Sequence, residues 1–157
     1  MTKKFVRESA TEMVELVLPN DTNILGKLLG GRLMHWMDIA AALSAARHCN
    51  NVCVTKEVDR LTFKRPIKLG EIVRLKTSVN RVFNSSLEIG VRVEVEDIRT
   101  KEIFHSNSAY FTFVNVEADT NKPIPAPEVV PETDIEKKRY DEALERRLLR
   151  LNIQKDK

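Results

Sequence analysis

The chain is poor in the residues that would let its architecture or chemistry come from outside its own core. Its two cysteines, Cys49 and Cys53, are too few for a disulfide framework. No further ligands stand near them to complete a zinc site, so both are read as buried free thiols. No apolar run approaches the roughly 18 residues of a membrane span, and Met1-Thr2-Lys3-Lys4 leads into no signal-peptide core. A cytoplasmic protein without a membrane partner is the expectation. An excess of one charge is lacking too, since 26 Lys and Arg face 23 Asp and Glu. Basic residues gather at Lys64, Arg65 and Lys68 and at Arg146, Arg147 and Arg150, but neither group is interleaved with aromatics. Small anions are therefore the expected ligands, and nucleic acid is not.

What is present suffices for one core. At 157 residues, 42% of them hydrophobic, the chain is long enough to fold without metal or disulfide support. Pro123, Pro125, Pro127 and Pro131 mark an extended connector. The expected division is therefore a domain over 1–125 and a connector with a C-terminal helix over 126–157, which packs on the same domain or on a neighbouring protomer. Thr133 and Glu136 form a capping box for that helix, with Tyr140, Leu144, Leu148 and Leu151 on one stripe. Its three arginines suit either a phosphate or a solvated face. Residues 1–8 are polar and expected to fray.

The organising stretch runs from Leu18 to Asn50. Asp21, Thr22 and Asn23 follow Pro19 as a turn cluster, Gly26, Gly30 and Gly31 allow close backbone approach, and apolar residues then recur with a helical period. The helix is predicted from Gly31 to about His48. Its alanines let it lie close against a sheet. Asp38 shares a face with Gly31, Met34, His35, Ala41, Ala42 and Ala45, a small and mostly apolar stripe. A carboxylate there is costly unless its charge is used. Spacing leaves two readings open: a working group, or a solvated Asp paired with Arg47 or another neighbour. Ala42, one turn on, offers no hydroxyl to support it.

After Asn50-Asn51 the period changes from 3.6 to 2. Strands are predicted at 9–18, from Val52 to Phe63, from Glu71 to Phe83, across Leu87 to Val95, and from Lys101 to Val116, joined by turns short enough to require antiparallel pairing. Each has one polar face, so the dry face needs a cover, and the Ala-rich helix is the early candidate. The expected class is α+β: a curved antiparallel sheet of five or six strands wrapped around one central helix, plus a C-terminal helix.

At this point the segments LPNDTNILGKLLGGRLMHWMDIAAALSAARHC, VTKEVDRLTFKRPIKLGEIV, NSSLEIGVRVEVED, SAYFTFVNV and PEVVPETDIEKKRY resemble the hot-dog-fold cytosolic acyl-CoA hydrolases, including the brain-type group. The resemblance spans residues from about 10 to 145. It implies hydrolysis of acyl-CoA to free fatty acid and CoA-SH with no metal and no cofactor, coenzyme A entering only with the substrate. It implies homodimers with central helices side by side, assembled into a trimer of dimers. The family's catalytic asparagine and aspartate fall on Asn23 and Asp38, and in brain-type members these are divided between two unequal sites of fused domains. The single-domain chain carries both.

Gly31 and Asp38 are separated by about 10 Å along a helix, so one thioester carbonyl does not touch both. If two helices pack antiparallel across a two-fold axis, Asn23 and the Gly31 amide come from one chain and Asp38 from its partner. The helix-start amides then hold the developing oxyanion, Asp38 activates water or attacks directly, and Asn23 orients the water or adds an oxyanion contact. The resemblance seats coenzyme A on Gly30, on Phe63, Lys64 and Arg65, and on the turn Asn84, Ser85 and Ser86. The lysine and arginine suit phosphate, although loop charges that keep a sheet edge soluble would look the same. His35 is read as a packing residue, His48 as complementing the helix dipole, and His105 is given no role. Met34, Met37 and Phe111 are expected along the acyl tunnel. Two rivals remain: a hot-dog hydratase or dehydratase, whose His-and-acid pattern His35 and Asp38 do not match, and a non-catalytic acyl-CoA sensor.

Overall fold

The computed structural model describes residues 2–156. Its centre is α1, Gly30–Cys49, laid on one face of an antiparallel sheet. Five strands build that sheet: β2 Thr11–Leu16, β3 Cys53–Asp59, β4 Ile72–Val82, β5 Ser86–Glu96 and β6 Ile103–Asn115, in the order β2-β4-β5-β6-β3. A separate two-stranded ribbon pairs β1, Lys4–Phe5, in parallel with β7, Val129–Val130. The C-terminal helix α2 spans Asp134–Lys155.

Strand alternation decides which face is dry. Val73, Leu75 and Val79 of β4, Leu87, Ile89, Val91, Val93 and Val95 of β5, and Ala109, Phe111 and Phe113 of β6 turn inward and are buried. Opposite them Met37, Ala40, Ala41 and Ala45 of α1 have no exposed surface, because side chains this small bring the helix axis close to the pleat. Each large apolar side chain sealed there contributes about 1.5–3 kcal/mol. The one inward hydroxyl of β4, Thr77, is satisfied by donating to the Ala40 carbonyl at 3.0 Å and sharing a 2.6 Å hydrogen bond with Ser44.

Several expectations are corrected. Met1 lies outside the described residues, but Lys4 to Glu8 are not frayed, since β1 pairs with β7 and Lys4 Nζ reaches the Arg47 carbonyl at the end of α1. The strand expected to reach Phe63 stops at Asp59, where Arg60 takes a positive φ of 57° and turns the chain out of the sheet. Helix α2 begins as the cap predicts, with Thr133 accepting from the Glu136 amide, but the Glu136 carboxylate accepts from Glu132 rather than closing the box on Thr133. The face it buries is not the leucine stripe. Ala143 and Arg146 are buried, whereas Leu144, Leu148 and Leu151 are exposed.

Nor do the α2 arginines wait for phosphate. Arg146 forks onto Glu88 through Nε at 3.0 Å and Nη2 at 2.6 Å, with its guanidinium 3.5 Å from the centre of the Tyr110 ring. Arg150 pairs with Glu57 and Asp59 of β3, and Arg147 lies over Phe83. Planar forks bind carboxylates in this way, and here they fasten α2 to the outer face of the sheet. His48, expected to complement a dipole, is fully buried and hydrogen-bonds the Pro127 carbonyl at 2.6 Å.

Candidate functional site

The start of α1 is built against the usual rule. Helices prefer Ser, Thr, Asp or Asn at the cap, and omitting one costs about 1 kcal/mol. Here Leu29 occupies the cap and no side chain accepts from the first turn. The amides of Gly30 and Gly31 have no partner among the described residues, and they lie at the positive end of a 20-residue helix. A Cβ on Gly31 would meet nothing within 4 Å, while one on Gly30 would stand 3.2 Å from the Phe63 ring. Phe63 therefore roofs the first turn, and a side chain at position 30 would make its ring give way by a few tenths of an ångström.

The loop before the helix is held by its own polar groups. Asn23 Oδ1 accepts from the amides of Leu25 and Lys27 at 2.9 and 3.2 Å, and Gly26 takes a positive φ of 72° to close the turn. With its oxygen used, Asn23 presents Nδ2, a donor, to the exterior. Asp21 pairs with Arg32 at 3.3 Å and fixes the loop to the first turn of α1.

Asp38 lies half-buried two turns along, and Thr55 of β3 donates to its Oδ1 at 2.6 Å. Thr55 was not legible in the sequence, because the supporting hydroxyl comes from the neighbouring strand rather than from one turn along the helix. Arg47, the alternative partner, is occupied with the Ala10 carbonyl and Thr11 hydroxyl, so Asp38 is not its ion pair. Its Oδ2 has no partner among the described residues. His35, expected to pack, is exposed and makes no hydrogen bond with Asp38; His105 bonds Ser108. Met37 and Phe111 are core residues, whereas Met34 is exposed.

The remaining expected residues fall into two groups. Phe63 covers Gly30, and beyond exposed Lys64 the Arg65 guanidinium lies 3.7 Å from the centre of the Phe104 ring, beside a cavity of about 300 Å³. The turn Asn84-Ser85-Ser86 lies at the opposite end of the sheet. Its Asn84 and Ser85 carbonyls accept from Ala126 and Asn115, and the Ser86 hydroxyl accepts from Arg147. Phe104 pairs with Val95, and Ser86 with Val114. Nine residues of β5 therefore separate the groups, about 30 Å of strand. One chain does not bring them together. They fall into two groups instead: Asn23, Gly30, Gly31, Phe63, Lys64 and Arg65 toward one end, and Asp38, Thr55, Asn84, Ser85 and Ser86 toward the other.

Comparison with known proteins gives this geometry a context. Residues 25–102 match the family model described as the thioesterase superfamily. The chain is 42% identical over 138 residues to protein VdlD of Helicobacter pylori, covering 88% of the chain and 78% of that protein. It is 38% identical over 143 residues to the uncharacterized acyl-CoA thioester hydrolase YkhA of Bacillus subtilis, covering 91% and 83%. A cytosolic acyl coenzyme A thioester hydrolase of Rattus norvegicus is 35% identical over 87% of the chain, which spans 36% of that longer protein. Among solved structures, an apo-hexameric acyl-CoA thioesterase superposes with a TM-score of 0.93 at 34% identity over 98% of both chains. An acyl-CoA hydrolase from Staphylococcus aureus with butyryl coenzyme A, coenzyme A and coenzyme A disulfide gives 0.88 at 34% identity, over 98% of this chain and 95% of that one. That enzyme has also been solved with alanine in place of one aspartate, one asparagine and one threonine.

Proposed function

The chain belongs to the thioesterase superfamily, with the hot-dog fold and a thioester hydrolase's chemistry, and from that membership we propose that it hydrolyses acyl-CoA to free acid and CoA-SH. The observation that carries the reading is the Asp38–Thr55 pair, a carboxylate held from a second element with one oxygen left unpartnered. In the Staphylococcus aureus enzyme the replaced asparagine and aspartate stand 15 residues apart, and the aspartate and threonine 17. Asn23, Asp38 and Thr55 have the same separations.

Each group has one task. The unbonded amides at Gly30 and Gly31 and the Nδ2 donor of Asn23 act on the oxyanion that forms as the thioester carbonyl is attacked. Asp38 takes a proton from the attacking water through its unpartnered oxygen, while Thr55 holds the other and fixes the plane of the carboxylate. Asn23 acts on the oxyanion rather than on the water, because its own oxygen already accepts two amides. CoA thiolate leaves readily without a strong acid, so the chemistry calls for neither metal nor cofactor.

The two half-sites are complementary under a two-fold axis. If α1 of one copy packs antiparallel on α1 of another, the Asn23 and Gly31 end of one meets the Asp38 and Thr55 level of its partner. Phe63 to Arg65 of one copy then lie beside the 84–86 turn of the other, where Lys64, Arg65 and the turn hydroxyls hold the phosphates of coenzyme A. We place this dimer inside a trimer of dimers, as the hexameric neighbour suggests, and in the cytoplasm, like the relatives named cytosolic.

The experiment is release of free thiol from butyryl-, octanoyl- and palmitoyl-CoA. The wild type is expected to release thiol from at least one, and Asp38→Ala to be slower by about a hundredfold or more. No release from any chain length would remove the reading; binding without turnover would identify a sensor.

A further inference from the structure

The turn that carries Asn23 breaks the usual composition of an exposed turn. Chains favour Gly, Asn, Asp, Ser or Pro at such positions, yet here the central pair is Ile24 and Leu25, closed by the Gly26 amide donating to the Asn23 carbonyl at 3.0 Å. Ile24 is fully exposed and Leu25 is 74% exposed. The turn is firmly held. Thr22 and Leu28 form an antiparallel bridge below it, the Asn23 amide donates to the Lys27 carbonyl at 2.9 Å, and Asn23 Oδ1 accepts from Leu25 and Lys27. A second loop braces this hairpin from the side, since Lys27 bridges Lys68 and the Leu69 amide donates to the Gly26 carbonyl at 3.0 Å. Leu69, 48% exposed, therefore stands beside the tip as a third uncovered aliphatic. None of the three belongs to the core, so their exposure serves something outside the chain.

The border of the tip is cationic. Residues directly opposite each other in an antiparallel bridge share a face, which sets the Lys27 and Lys68 side chains next to each other. Neither amine forms an ion pair among the described residues, because the two carboxylates of these loops are spent: Asp21 pairs with Arg32 at 3.3 Å, and Glu71 accepts from the Lys68 backbone amide at 2.6 Å. Lysine is depleted where two proteins seal an apolar contact. An aliphatic tip bordered by unpaired lysines instead matches an anionic bilayer, whose headgroups take the ammonium groups while its acyl boundary takes the aliphatics. The chemistry of the border thus selects lipid over a second copy.

We propose that the 23–26 turn, with Leu69 beside it, is a docking tip that seats the protein on anionic lipid surfaces. Ile24 and Leu25 enter the headgroup region, and Lys27 and Lys68 meet lipid phosphates. The contact is peripheral, since no helix among the described residues is long and apolar enough to cross a membrane, and it replaces the expectation of no membrane partner. Asn23 adjoins Ile24, so docking holds the Asn23 donor near the level at which a long-chain acyl-CoA, anchored in the bilayer by its acyl group, presents its thioester. This consequence for the substrate class, membrane-borne rather than dissolved acyl-CoA, rests on the thioesterase reading; the docking itself does not.

The test cosediments the full-length protein with vesicles of phosphatidylcholine alone and of an equal mixture with phosphatidylglycerol. Butyryl-CoA hydrolysis in solution and the sedimentation coefficient are read alongside. Wild type is expected to bind the mixed vesicles, to bind phosphatidylcholine less, and to be released as salt rises. Ile24→Ser with Leu25→Ser should weaken binding about tenfold or more. Sedimentation and butyryl-CoA hydrolysis should stay unchanged in that variant, since the Leu25 backbone amide that Asn23 holds is retained. Lys27→Gln with Lys68→Gln should cost about fivefold per lysine on the mixed vesicles and nothing on phosphatidylcholine. Wild type that stays in solution with both vesicles, or a Ser variant that binds as well as wild type, would overturn the proposal. So would a Ser variant that sediments as a smaller particle, which would assign the tip to a second copy. Vesicle binding without hydrolysis of any thioester leaves the docking in place and removes only the functional reading.

Discussion

Thr55 carries the sharpest residue-scale prediction, because it acts only through Asp38. Thr55→Val keeps the shape and removes the hydroxyl that donates at 2.6 Å; kcat is expected to fall about tenfold or more with KM little changed. Thr55→Ser should restore most of the rate, an outcome that a purely packing role for the threonine would not produce. Steady-state kinetics of the two variants checks it. His48 gives a prediction of another kind. Burial lowers its pKa below the ordinary 6.5, against the opposing Pro127 hydrogen bond, with Lys4 lowering it further and Glu8 raising it. The unfolded chain therefore binds a proton on His48 more readily than the folded one. Stability from this group is complete above pH 6.5 and is lost as pH falls from there through the depressed folded value. Thermal unfolding between pH 8 and 5 should show that decline, and His48→Gln should flatten it. A sequence shows that a histidine closes a helix, not that Pro127 returns to bury it, so the sign of its contribution was not legible.

Among elements, α1 was the most legible. Its alanine spacing and glycine-rich start name both the buried stripe and the end with unpaired amides, and the structure moves its bounds by one residue at each end. The end of β3 was not, because Arg60 has no turn signal and leaves the sheet only by adopting a positive φ. Helix α2 misled for a physical reason. Periodicity assigns the buried face to leucines, but the outer face of the sheet offers Glu88, and a guanidinium that can fork onto a carboxylate wins the contact. Removing one member strands a charge that is 1% exposed at Glu88. Arg146→Met is thus expected to cost about 3–5 kcal/mol, and Glu88→Leu with Arg146→Met far less. Urea unfolding of the single and double variants measures the difference.

For the whole molecule, hot-dog architecture followed from alternation and from the helix period, yet the site did not follow from one chain. Asp38 and Asn23 were singled out as candidates by resemblance, and the strand that supports Asp38 only by the structure. The surface that would unite the half-sites is visible as an incomplete one. Met34, Ile39 and Leu43 of α1 are 39, 39 and 41% exposed, Val52 and Val54 are exposed at the start of β3, and β3 is the last strand of the sheet. Exposed apolar residues beside an unpaired edge suit a second copy. Leu43→Lys should yield monomers by sedimentation velocity and abolish hydrolysis while leaving every proposed site residue in place.

The most direct measurement mixes two inactive variants. Asn23→Ala and Asp38→Ala protomers, each alone without appreciable hydrolysis, are unfolded together, refolded and assayed. If each site takes its asparagine from one chain and its aspartate from the other, every mixed dimer regains one intact site, and the mixture recovers about a quarter of wild-type activity under random pairing. No recovery in a mixture shown to contain mixed dimers would contradict the shared site.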